Sequence, residues 1–295
     1  LDAISITDHL EYQPHKQYIP TDHNAAWKLA VNTAADYNII LVKGSEITRK
    51  MPPGHLNALF INEPDSLVKD DFMKAIEAAI SQGAFIQWNH PGWKSQQPDG
   101  IPRMYDVHRE LIAKGWLHGI EYYNDAEFYP LVLDMCRDNK LAIMGNSDIH
   151  GVISEEYAAP AYPHRPMTLV FARERSHDSL KEAMFARRTA VWYGDNLAAS
   201  GDIAEQLFRS VVSAGAPFKV DGKYIWFELS NLSDIPMTLS GGPAGAPASV
   251  KVPANGMVVV RAEKKFLLEP ITYNVDNIVT GSNSVLRVDI SPAKN

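Results

Sequence analysis

Short apolar runs alternate with stretches of helical periodicity through the first two-thirds of the chain, and this alternation constrains the fold more than any other feature. The runs read AISI, IILV, LNALFI, AFIQW, GIEYY, LAIM and TLVFA. Between them lie HNAAWKLAVNTAADY, DDFMKAIEAAISQG, MYDVHRELIAKG and AEFYPLVLDMCRDN. Two of these helices end in Gly83 and Gly115, as a helix C-cap does. Apolar strands separated by helices predict a parallel sheet covered by helices, and about seven such units predict an α/β barrel.

The pattern breaks near residue 195. Beyond it, KYIWFELSN, PMTLS, SVKVPAN, MVVVRA, PITYNVD and SVLRVDI alternate apolar with polar residues and are cut by Pro, Gly, Asn and Ser. That predicts a small all-β sandwich, with SGGPAGAPAS as a hairpin loop inside it. The expected division is residues 1–198 for the barrel and 199–295 for the sandwich.

Composition narrows the function. Net charge is −7 with acidic and basic residues interspersed and no basic tract, which argues against a nucleic-acid partner bound through its phosphates. The single cysteine, Cys136, excludes an internal disulfide, and its helical setting LVLDMCRDN predicts a buried structural thiol. No apolar run reaches the roughly 18 residues of a membrane helix. Oligomeric state is not readable.

Chemistry gathers at the strand tips. AISITDH ends in Asp8 and His9, IILVKGSE in Glu46, AFIQWNH in His90, and LAIMGNSDIHG in Asp148 and His150. In a parallel barrel those ends share the face that carries active sites. One strand ending in His or Asp is an ordinary capped loop, but four such endings point to a common site. His55, in PPGHLNALF, is a further candidate just before a strand. Imidazole and carboxylate together suit zinc, iron or manganese, in a multinuclear cluster rather than a magnesium site.

TDH, GSEIT, GHLNALF, NHPGW and GNSDIHG, taken jointly, resemble the polymerase-and-histidinol-phosphatase (PHP) family of metal-dependent phosphoesterases. The resemblance covers roughly residues 1–195 and implies a distorted seven-stranded barrel with a centre of two or three metals. It implies that Glu46 bridges two metals, with Asp148 on the first, His55 and His90 on the second, and His9 with His150 on the third. The family's opening H-x-H motif would lie just upstream of Leu1, so a further strand, and with it any signal peptide and a lean to an extracytoplasmic location, is expected there.

The implied reaction is hydrolysis of a small phosphodiester or phosphomonoester by a hydroxide held between metals. Asp8 is expected to orient an imidazole by accepting its other N–H. His15 and His23, in the loop after TDH, and Arg187 with Arg188, in FARRTAVWYGD, are candidate phosphate contacts. Glu121 reads equally as an orienting or a structural carboxylate. Trp88 reads as core and Trp93 as a pocket wall. Two alternatives stay open: an amidohydrolase-like hydrolase of an amide or lactone, and a non-catalytic binding protein with a degenerate barrel.

Overall fold

The computed structural model describes residues 1–157 and 164–293. The chain divides into two compact units, Leu1–Asp148 with Met167–Thr189, and Ile149–Pro166 with Ala190–Asn295. The chain crosses between them at 148/149, at 166/167 and, last, at Thr189/Ala190, beside the single 198/199 boundary expected from the sequence. The reason for the last crossing is the hairpin over residues 189–199. Its second strand runs parallel to a long strand near the C-terminus and so belongs to that sheet, despite its place in the chain.

The first unit is built on a mixed sheet. Its strands are β1 (Ala3–Ile6), β2 (Ile40–Thr48), β3 (His55–Leu59), β4 (Phe85–Trp88), β5 (Gly119–Asn124), the short β6 (Glu127–Phe128) and β7 (Ala142–Asn146). They are ordered β1-β2-β3-β4-β5-β6, with β7 paired to β5. The expected parallel arrangement holds for β1–β2, β4–β5 and β5–β7, whereas β3 runs antiparallel to both β2 and β4. The physical reason is connectivity. Only Arg49–Gly54 separates β2 from β3, too short for the crossover that a parallel pair needs. Reversal has a consequence for the site: the start of β3, not its end, lies beside the end of β2, with His55 opposite Thr48.

Helices α1 (Ala25–Asp36), α2 (Phe72–Ser81), α3 (Asp106–Ala113) and α4 (Leu131–Asn139) connect these strands. In α2 the Asp71 carboxylate accepts from Lys74 N at 3.1 Å, and Ala75, Ile76 and Ala79 form its buried face. Gly83, at φ +74°, closes the helix as a left-handed cap. Cys136 is buried in α4, its thiol donating to the Ala142 carbonyl at 3.4 Å. Burial pushes that thiol far above its ordinary range, so it is an inert core group.

The segment Ile149–Pro166, with the short α5 (Ile153–Glu156), belongs to the second unit. The chain then adds β8 (Met167–Val170) and α6 (His177–Phe185) to the first. Val42, Leu59, Phe60, Phe85, Ala142, Met144 and Met184 pack into one core there.

In the second unit, β9 (Thr189–Tyr193) and β10 (Asn196–Ala199) form the hairpin. Helix α7 (Gly201–Val211), β11 (Val212–Ala214), β12 (Lys219–Asp221), β13 (Tyr224–Asn231), β14 (Met237–Ser240), β15 (Ser249–Val252), β16 (Gly256–Glu263), β17 (Ile271–Gly281) and β18 (Ser284–Ile290) follow. One sheet runs β15-β14-β17-β10-β9 with β18 on β17, and a second runs β11-β13-β12 with β16 on β13. β13 alternates strictly, with Ile225, Phe227, Leu229 and Asn231 buried. SGGPAGAPAS forms the loop of the β14–β15 hairpin, closed by Ser240 opposite Ser249.

Candidate metal centre

Five strand-tip residues of the first unit meet at one end of its sheet. β1 continues as an isolated parallel bridge pairing His9 with Glu46. His55 opens β3, and its reversed direction brings it to the same end. His90 and Asp148 lie just past β4 and β7. Both adopt positive φ, 27° and 49°, as do six other non-glycine residues among those described.

Glu46 is the hub. Its Oε1 lies 2.8 Å from His9 Nδ1 and 2.9 Å from His55 Nδ1. His90 Nε2 is 3.0 Å from His55 Nδ1, and His90 Nδ1 stands 3.6 Å from both Asp148 Oδ2 and Glu121 Oε2. Glu46 is 4 % exposed, His55 9 % and His90 7 %, whereas Asp148 is exposed.

A polar frame holds these groups. Thr48 Oγ1 sits 2.7 Å from His9 Nδ1 and donates to Glu46 Oε1 at 2.9 Å. Asn89 donates to Glu46 Oε2 at 3.2 Å and accepts from Gln87 at 3.0 Å. Gln96 donates to His55 Nε2 at 2.9 Å. Glu121, 1 % exposed, accepts from the His90 backbone N–H, from Asn124 at 3.1 Å and from Asn146 at 2.6 Å. Asn124 also donates to Asp148 Oδ2 at 3.2 Å.

The electrostatics follow from burial and pairing. Burial alone would raise the Glu46 pKa, but hydrogen bonds from His55 and His9 outweigh it and hold the carboxyl well below the usual range. The His9 pKa is raised, chiefly by its hydrogen bond to Glu46. Burial opposes charge on His90, yet Glu121, Asp148 and Glu46 together raise its pKa. Burial raises that of Glu121.

The other residues singled out from the sequence take varied places. Asp8 is exposed; its backbone carbonyl accepts from Glu46 N and Ser45 Oγ, and it is Thr48 and Glu46 that engage the His9 ring. Arg187 bonds the Lys140 carbonyl at 3.3 Å and lines a cavity of about 210 Å³ with Leu117, His118 and Leu141, all before strand starts. That is the opposite end of β7 from Asp148. Arg188 is held by Glu182 and the Phe171 carbonyl. His15 is exposed and His23 half-buried in the loop after β1, and neither ring hydrogen-bonds among the described residues. His150 is an exposed residue of the other compact unit. Trp88 is fully buried, whereas Trp93 is 39 % exposed and touches the rings of His55 and His90. Asn89, Asn124, Asn146, Thr48 and Gln96 were not picked out by the sequence pattern. Their signal was faint: an asparagine at or just past the end of three apolar runs.

The donor set fits divalent transition metals. Among the described residues, the ion-pair partners of Glu46 and Glu121 are histidines alone, so the buried carboxylates lack a fixed cation. The donors presently hydrogen-bond one another, and among the described residues no three His, Cys, Asp or Glu side chains are spaced to hold an ion as they stand.

Neither a family model nor a curated protein matches the chain. A solved structure does. It is a two-domain protein from Bacteroides vulgatus ATCC 8482 containing a predicted PHP-like metal-dependent phosphoesterase. The match covers 99 % of this chain and 86 % of that one, at 35 % identity and a TM-score of 0.92. This chain belongs to the PHP-like family. A candidate metal-dependent phosphoesterase from Bifidobacterium adolescentis ATCC 15703 is far more distant, at 15 % identity and a TM-score of 0.36 over 51 % of this chain and 78 % of its own. The PHP-like membership accords with the mixed α/β architecture and the two compact units.

Proposed function

We propose that the chain is a metal-dependent phosphoesterase hydrolysing a small phosphomonoester or phosphodiester at a centre of two or three zinc, manganese or iron ions. The observation that carries this is Glu46, a buried carboxylate whose Oε1 meets both His9 and His55. Membership of the PHP-like family supports it. In this reading the first unit is the family's seven-stranded barrel, and the sheets of the second form its β-sandwich. Glu46, Asp148, His55, His90 and His9 would hold the metals. Metals bound there would lower the pKa of water and polarise the phosphoryl oxygens.

The chain's own residues hold and orient. Thr48 fixes the His9 ring, Asn89 holds the second oxygen of Glu46, and Glu121 with Asn124 steadies His90 and Asp148. Exposed Tyr12 and Trp93 border the cluster, giving the organic part of the ester an apolar wall. His15 and His23 are the phosphate contacts this reading retains. No helix among the described residues is long and apolar enough to cross a membrane. Metal content per chain, with hydrolysis of bis(p-nitrophenyl) phosphate and p-nitrophenyl phosphate, tests the proposal. Bound metal, and turnover that a chelator abolishes and added metal restores, is expected. A metal-loaded chain that hydrolyses neither ester would overturn it.

A further inference from the structure

His108 is a buried titratable side chain that the proposed chemistry does not use. It sits in the first turn of α3 at 0 % exposure, flat against Trp88 with ring centroids 3.8 Å apart and 21° between planes. Its Nδ1 accepts the backbone N–H of Tyr105 at 3.1 Å. A neutral imidazole whose Nδ1 accepts carries its proton on Nε2. That nitrogen donates to the Pro53 carbonyl at 2.7 Å. Burial pushes the pKa down to about 4, so the ring is neutral near pH 7.

Both anchors lie two positions before a histidine of the cluster, Pro53 before His55 and Trp88 before His90. Strand pairing ties the same segments, with Leu56 opposite Trp88 and the Asn89 N–H donating to the His55 carbonyl at 2.9 Å. A residue that served only the cap of α3 would need Nδ1 alone. The Nε2 bond reaches 55 positions back along the chain, to the loop that delivers His55. An apolar ring of the same size would leave the Pro53 carbonyl and the Tyr105 amide unpaired in the interior.

We propose that His108 is a positioning residue for the His55–His90 pair, one ring that is bonded to Pro53 and stacked on Trp88 and thereby sets the spacing of two metal-binding imidazoles. The inference rests on the cluster's being a metal centre.

Two substitutions separate the roles of the ring nitrogens. In His108→Asn the amide oxygen can still accept from Tyr105, but nothing reaches Pro53. In His108→Gln the amide nitrogen extends to the Nε2 position and can donate to Pro53. Metal-free full chains would be titrated with zinc against a chromophoric chelator, with circular dichroism as the folding control. The Asn variant is expected to bind zinc about tenfold more weakly or worse, and the Gln variant to stay within about threefold of the unsubstituted chain. A Gln variant that binds zinc no better than a folded Asn variant overturns the proposal. Should the Asn variant fail to fold, the Gln variant decides alone, and a loss of about tenfold there overturns it. An unsubstituted chain that binds zinc no better than Glu46→Gln defeats the metal-centre reading itself, and the positioning role with it, before any change at His108 is considered.

Discussion

The Glu46 carboxylate and the His55 imidazole meet at 2.9 Å across a strand pair in which their backbones are not partners, since Glu46 registers with Asn57 and His55 with Thr48. They are diagonal neighbours on one face of an antiparallel ladder, a spacing that long side chains can close. This contact makes Glu46 the first residue to test.

Glu46→Gln keeps the shape and removes the charge. Bound metal per chain, measured by mass spectrometry of the purified protein, is expected to fall to background, and ester turnover by about a hundredfold or more. Full metal occupancy in the variant would remove Glu46 from the centre.

Asp148→Asn probes the exposed rim of the cluster. Asparagine tolerates the positive φ of 49° found there, so the fold is expected to survive. The loss of the anionic ligand is expected to lower kcat by about a hundredfold, roughly 3 kcal/mol in the barrier. A folded variant with unchanged kinetics would show that this carboxylate holds no metal.

Arg188→Ala is expected to leave kcat and KM within about twofold, because the guanidinium serves Glu182 and the Phe171 carbonyl. A tenfold rise in KM would return this arginine to the substrate site.

Acid stability should report His108. Its folded pKa lies near 4 against an ordinary 6.5, because burial disfavours the charged ring. A depressed folded value means that the unfolded chain takes up the proton first as pH falls. The stability at stake is therefore complete above 6.5 and lost progressively down to about 4, on the order of 3 kcal/mol at ~1.4 kcal/mol per pH unit. His118, also lowered to about 4 by burial, acts in the same direction. Urea unfolding of the metal-free chain across that range should show a shallower pH dependence in His108→Gln. Parallel curves would mean that the ring is charged in the fold.

Much of the cluster was legible because an ionisable residue at a strand tip interrupts an apolar run abruptly. His9, Glu46, His90 and Asp148 all announce themselves that way. His55 was legible as a residue type only. All five residues of β3 are buried, so its composition carries no sign of its direction, and direction is what brings His55 to the others. The arginines were harder to place for a related reason. Loops alternate between the two ends of a sheet, and Arg187 lies on the end away from Asp148, beside Lys140. The asparagines around Glu121 were hidden because an amide at a strand tip looks like a turn residue until its partner is in place. The thiol of Cys136 and the burial of Trp88 followed from helix and strand patterning alone.

The reversed β3 also bears on the order in which the molecule assembles. Glu46, His55 and His90 come from β2, β3 and the tip of β4, neighbours in sequence as well as in the sheet, whereas Asp148 must wait for the parallel β5–β7 pairing. Contacts between near neighbours along a chain form sooner than those that close long loops. On that ground Glu46, His55 and His90 are expected to come together before Asp148 joins them.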